Sequence, residues 1–103
     1  MPQNQQSISL TNSDNETNLA ISYEAFKLLD WTIKYAGDNI LVGYTNKKWY
    51  GNAQQITISI EVNLLTITSK MIKGESFDIL GKNKKNVDAF ISSFENAEKS
   101  VTN

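Results

Sequence analysis

The chain has 103 residues, 40% hydrophobic and 20% charged, with a formal net charge of −1. That is the make-up of one ordinary globular domain, long enough to bury a core of roughly two-thirds of its unfolded surface. There is no cysteine and no histidine, which excludes disulfides, thiol nucleophiles, His-assisted triads and zinc sites of the usual ligand set.

All ten basic residues are lysine. Without arginine there is no bidentate guanidinium fork, which disfavours dedicated recognition of phosphate or base edges and speaks against nucleic acid as a partner. A near-neutral chain draws an anionic surface only through a local patch. The absence of cysteine fits a cytoplasmic setting. The start, MPQNQQSISL, lacks the basic region and long apolar run of a signal peptide, and no apolar stretch approaches the ~20 residues needed to cross a bilayer.

In chain order, residues 1–5 are polar and read as a disordered N-terminus, ahead of one α+β domain over residues 6–98 and a tail or linker over 99–103. Ser7–Leu10 alternates as a short strand with Ile8 and Leu10 inward. TNSDNET is a cluster of turn and cap formers. From about Thr17 the spacing of Leu19, Tyr23, Phe26 and Leu29 or Asp30 predicts a helix to Asp30, capped by Asn15 or Thr17, with Ser22 and Lys27 off its apolar stripe.

Trp31, Ile33 and Tyr35 then alternate with polar residues, AGDN turns the chain, and Ile40, Val42 and Tyr44 form the next strand. TNKKWYGNAQQ reads as a longer loop. Ile56, Ile58 and Ile60 give the cleanest strand, and EVN leads to a partner carrying Leu65 and Ile67 that ends near Ser69 or Lys70. Four consecutive strands with short links predict an antiparallel meander with one covered face. A last helix starts near Asn83 and ends around Glu98. Val87, Phe90, Ile91 and Phe94 share one of its faces, with Lys84, Lys85, Asp88 and Glu95 on the other. The predicted order is β-α-β-β-β-β-α, a sheet with two helices on its apolar face.

Two stretches stand out. FDILGKNKKN, residues 77–86, is not a Walker loop: the earlier glycine, Gly74, lies seven positions before Gly81, and Asn83 stands where the motif needs Ser or Thr. It reads as a helix entrance, with Phe77, Ile79 and Leu80 plugging the seam and Asn83 or Asn86 capping the helix amides. Lys82, Lys84 and Lys85 cluster where the helix dipole is already positive, an arrangement that attracts anions. The second stretch, NKKWYGN, places Lys47 and Lys48 beside Trp49 and Tyr50. That combination suits a partner surface or a membrane interface, unless the rings fold back over the sheet edge.

The carboxylates Glu24, Asp30, Asp38, Glu61, Glu75 and Asp78 are scattered over separate elements, with no spacing that predicts a shared catalytic site. No cofactor is implied, and the chain reads as a non-enzymatic interaction domain. A small-molecule or lipid carrier is the alternative, with Tyr23, Phe26, Trp31, Tyr35 and Phe90 lining a cavity between helices and sheet.

FDILGKNKKNVDAFI, with LLDWTI, GYTNKKWYGNAQQITISIE and LLTITSK, resembles a family of small bacterial domains that carry a Phe-Asp-Trp-Gly-Lys-Asn-Lys-Lys-Asn-type signature ahead of a C-terminal helix. The likeness covers about residues 6–97, and Leu80 stands where that signature has Trp. Members often belong to membrane proteins, including relatives of rhomboid intramembrane proteases. The resemblance implies an accessory domain on the cytoplasmic side of a membrane protein, with a protein partner or an anionic membrane surface as its target. It implies no active site in this chain, because the rhomboid Gly-x-Ser-x-Gly serine and histidine are absent.

Overall fold

The computed structural model describes residues 3–10, 14–45, 54–71 and 82–102. Their order is β1 (Gln3–Ser9), α1 (Asn15–Leu28), β2 (Thr32–Ala36), β3 (Ile40–Tyr44), β4 (Gln54–Glu61), β5 (Leu64–Met71) and α2 (Lys82–Thr102). This is the predicted α+β arrangement. The five strands form one antiparallel sheet in the spatial order β1-β5-β4-β3-β2.

β2 to β5 make the expected meander, and β1 closes it by pairing with β5 rather than with its sequence neighbour. β1 and β2 therefore lie on opposite rims, and the link between them must cross the whole sheet. Four inter-strand gaps span ~19 Å. The 14-residue α1 is ~21 Å long, enough to make that crossing. α1 packs on β4, β3 and β2, α2 packs on β1 and β5, and the helices pack on each other.

One face of the sheet is sealed. Leu41, Ile56, Ile58, Ile60, Leu65 and Ile67 are all buried, and the helices bring Ile21, Ala25, Phe26, Val87, Phe90, Phe94 and Ala97 onto them. Phe26 stands edge-on to Phe90 at 6.0 Å and to Trp31 at 5.4 Å between ring centroids. The opposite face carries Ser, Thr and Gln in the alternate positions of β4, Ser and Thr beside them on β1 and β5, and Ile40, Val42 and Tyr44 of β3. The apolar alternation that marked β3 thus lies half-buried on the open face, while Leu41 and Gly43 face the helices. Ser7 and Thr66 share a hydroxyl hydrogen bond of 2.8 Å, and Thr68 donates to Gln5 at 3.0 Å.

Several boundaries and faces differ from the sequence expectations. β1 begins at Gln3, inside the stretch expected to be frayed, because backbone pairing with β5 needs no apolar alternation. The cap of α1 is Asp14, whose carboxylate accepts from the Glu16 N–H (3.2 Å) and the Thr17 hydroxyl (2.7 Å). The buried stripe of α1 is Asn18, Ile21, Ser22, Ala25 and Phe26, one position away from the predicted one. Small Ser22 and Ala25 let the helix lie close to its neighbours, and the Ser22 hydroxyl is satisfied by the Asn18 carbonyl at 3.0 Å. Tyr23 is left 46% exposed.

The helix stops at Leu28 because Asp30 takes a left-handed φ of 60°. The Trp31 N–H then bonds the Phe26 carbonyl and the Asp30 N–H the Lys27 carbonyl. This is the Schellman stop, and the Phe26–Trp31 ring contact is the apolar clasp that accompanies it.

In β2 the register slips between Ile33 and Tyr35. The extra residue, Lys34, turns Tyr35 onto the open face opposite Val42, so Tyr35 is 58% exposed. Lys34 lies over the Tyr44 ring, 5.7 Å from its centroid. At the other end of the chain, α2 runs through Thr102, past the expected end near Glu98. No Gly or Pro interrupts it, and Lys99 in its last turn favours the negative end of the helix dipole.

Candidate functional site

Four chain segments meet at one end of the sheet: the close of β3, the start of β4, the close of β5 and the first turn of α2. Each supplies a buried polar side chain. Thr45 and Gln54 face each other across the β3–β4 rungs, with the Gln54 N–H donating to the Thr45 hydroxyl at 2.9 Å and that hydroxyl donating to Gln54 Oε1 at 3.3 Å. Ser69 Oγ donates to Asn83 Oδ1 at 2.8 Å. Asn86 Nδ2 donates to Gln54 Oε1 at 3.3 Å and to Ser69 Oγ at 3.2 Å.

Asn83 and Asn86 are therefore not helix caps, as the sequence suggested. They lie within α2 and point into the sheet, tying its first turn to β4 and β5. Buried amides and hydroxyls are costly unless paired, so the network holds this end of α2 at a fixed angle. The sequence carried a signal for it that apolar periodicity alone passes over. Gln54 continues the inward phase of Ile56, Ile58 and Ile60, Ser69 that of Leu65 and Ile67, and Asn83 that of Val87, Phe90 and Phe94. A polar residue in an apolar phase marks a buried hydrogen-bonded position.

Both singled-out stretches connect at this end. Lys47, Lys48, Trp49 and Tyr50 lie outside the described residues, as do Phe77 to Gly81. Their roots are described: Thr45 and Gln54 flank NKKWYGN, and Lys82 of FDILGKNKKN opens α2, although nothing is described of the Lys82 side chain. The Asn86–Gln54 bond thus joins the bases of the two stretches. Lys84 and Lys85 are exposed on the outer side of the first turn, which has no acidic residue. Lys84 Nζ bonds Asp88 Oδ2 at 2.8 Å, one turn on, which leaves Lys85 as the more open cation.

The chemistry available here is hydrogen bonding and electrostatic attraction. The network side chains are neutral amides and hydroxyls with no acid or base near neutrality. The described carboxylates lie apart, Glu24 beside Lys27 on α1 (3.7 Å), Asp38 in the β2–β3 turn and Glu61 at the close of β4. Glu75 and Asp78 lie outside the described residues. Among the described residues no three acidic side chains group together.

Of the five side chains expected around a helix–sheet cavity, Tyr23 and Tyr35 face solvent, Trp31 is half-buried with its ring against Phe26, and Phe26 and Phe90 are fully buried and in ring contact. A groove of about 670 Å³ occurs elsewhere, between α1 and α2, lined by Thr17, Ala20, Ile21, Glu24, Leu28, Asn96 and Ala97. Among the described residues no helix is long and apolar enough to cross a membrane.

Comparison with protein-family models gives no match, and comparison with curated proteins gives none.

Proposed function

We propose that this chain is a non-catalytic interaction domain that presents the N-terminal end of α2 to an anionic surface. The supporting observation is the way that turn is held. Asn83 and Asn86 are committed inward to Ser69 and Gln54, no acid stands in the first turn, and Lys84 and Lys85 point outward. Lysines at a helix N-terminus cost a few tenths of a kcal/mol in helix stability. Here they also add to the positive end of the dipole on a rigidly mounted turn, which is an electrostatic docking face. Lys82, with Lys47, Lys48, Trp49 and Tyr50 of the stretch rooted at Thr45 and Gln54, completes the proposed contact set.

The partner is an acidic protein surface or an anionic membrane. The family resemblance favours a setting on the cytoplasmic side of a membrane protein. Lys82, Lys84 and Lys85 changed together to Glu should abolish binding to vesicles containing phosphatidylserine, or to an acidic protein partner, with the thermal transition retained. Wild-type binding should weaken as salt rises. Binding that is indifferent both to the triple substitution and to salt removes the reading.

The second reading, a small-molecule or lipid carrier, draws on the α1–α2 groove, where Leu28 is 61% exposed beside Ala20, Ile21 and Ala97. An apolar fluorescent probe that binds the chain and is displaced by Ala20→Trp would favour it over the docking face.

A further inference from the structure

The two rims of the sheet are built differently. β2 is five residues long, bulged, and carries Lys34, three of the devices by which edge strands are kept from pairing. β1, with the sequence QNQQSIS, has none of them. It carries no charge and no proline, and its register with β5 is unbroken over seven residues.

One bond fixes the direction of its backbone groups. The Leu10 N–H donates to the Asn63 carbonyl at 2.9 Å, next to the Ser9–Leu64 pair. Even positions of β1 therefore exchange bonds with β5, and antiparallel alternation turns the N–H and C=O groups of Gln3, Gln5, Ser7 and Ser9 away from the sheet. No described strand lies beyond them.

The helix layer adds a second feature at the same rim. On α2, Asn96 lines the groove toward α1, and Ile91 sits about 140° around the helix from it, on the flank turned away from α1. Ile91 and Ile8 of β1 are both only partly buried. Each packs against the core and keeps part of its surface open.

We propose that this rim is the pairing surface of a homodimer, in which β1 of one copy adds antiparallel to β1 of a second and joins two five-stranded sheets into one. The strand suits its own copy. The outward positions are symmetric about Gln6, so a two-fold axis there sets Gln5 opposite the second copy's Ser7 and Gln3 opposite its Ser9, and every outward N–H and C=O is paired. An isologous contact faces each charge with its own kind, and β1 has none to repel. On the helix side of the joined strands the same axis sets Ile8 of each copy opposite Asn4 of the other.

Sedimentation equilibrium of the full chain from micromolar to millimolar concentration should show the mass rising toward twice that of the monomer. Gln6→Cys supplies the only thiol in the chain. Directly opposite, non-hydrogen-bonded residues stand ~4.5 Å apart at Cα, within disulfide range, so mild oxidation should link this variant into dimers. Asn4→Cys, which the axis sets opposite Ile8, should not link. Gln6→Lys, a change at an exposed position, should hold the chain monomeric with its thermal transition retained. A monomer at every concentration, equal cross-linking of the two cysteine variants, or a rim that takes up a foreign extended peptide in preference to its own copy would each overturn the proposal.

Discussion

Gly43 shows how a single atom sets the helix layer. It lies in the inward phase of β3, between Leu41 and Thr45, where a side chain would ordinarily add to the core. An added Cβ would stand 2.3 Å from the Thr32 carbonyl oxygen and 2.6 Å from Cε2 of Phe26. The glycine is what allows the Phe26 ring, fully buried, to lie against the sheet and meet both Trp31 and Phe90. Gly43→Ala should therefore destabilise by about 3 kcal/mol, the upper end of ordinary overpacking, since one of the clashing atoms is backbone. Chemical denaturation should read this as a lower midpoint with unchanged slope. Nothing local in LVGYT marks the requirement, because both clashing groups come from other elements. Asp30 is the opposite case: the bonds that hold its left-handed turn come from Phe26 and Lys27 of its own helix, although apolar spacing carried the predicted helix through it.

At the scale of elements, the alternation of Ile56, Ile58 and Ile60 and the face of Val87, Phe90, Ile91 and Phe94 were legible: all of these side chains are buried but Ile91, which is half-buried at the margin of its face. The docking of α2 was only half legible. Apolar spacing says which side of the helix turns inward, whereas Asn83 and Asn86 decide its position along the sheet through Ser69 and Gln54. Asn83→Ala should cost about 1–2 kcal/mol, the range for a buried hydrogen bond with a partner left behind. Amide exchange should quicken first in the opening turn of α2 and more slowly in β4, which the substitution does not touch directly. Uniform loosening would mean that the network carries no positional role. Neighbouring chemistry also explains the capping error: an asparagine near a helix start caps the helix when solvent lies opposite, and docks it when a buried serine does.

For the whole molecule, the decisive contact is the most distant one. β1 meets β5 across some sixty residues of chain, as in the Ser7–Thr66 pair, and this single pairing sends α1 over the sheet to reach β2 on the far rim. Removal of residues 1–9 should take away far more than a polar leader. It would uncover the outer side of β5 together with Leu65 and Ile67, and the truncated chain should lose its cooperative thermal transition and aggregate through the new edge. A truncated chain that melts like the full one would show β1 to be dispensable. The polar stretch QNQQ gave no apolar cue to its strand, because a rim strand gains its place through backbone bonds rather than side-chain burial.

What the sequence determined by itself is the kind of protein and the inward side of β4, β5 and α2: α+β, antiparallel, helices on one face, and no cysteine or histidine chemistry. These follow from side-chain periods of 2 and 3.6, which are properties of short segments. Only the tertiary structure decided which strands form the rims, that a bulge turns Tyr35 outward, that Gly43 must stay bare, and that the polar residues in apolar phase meet in one network at the foot of α2. Each depends on what lies opposite a residue in space, and that partner comes from a distant part of the chain.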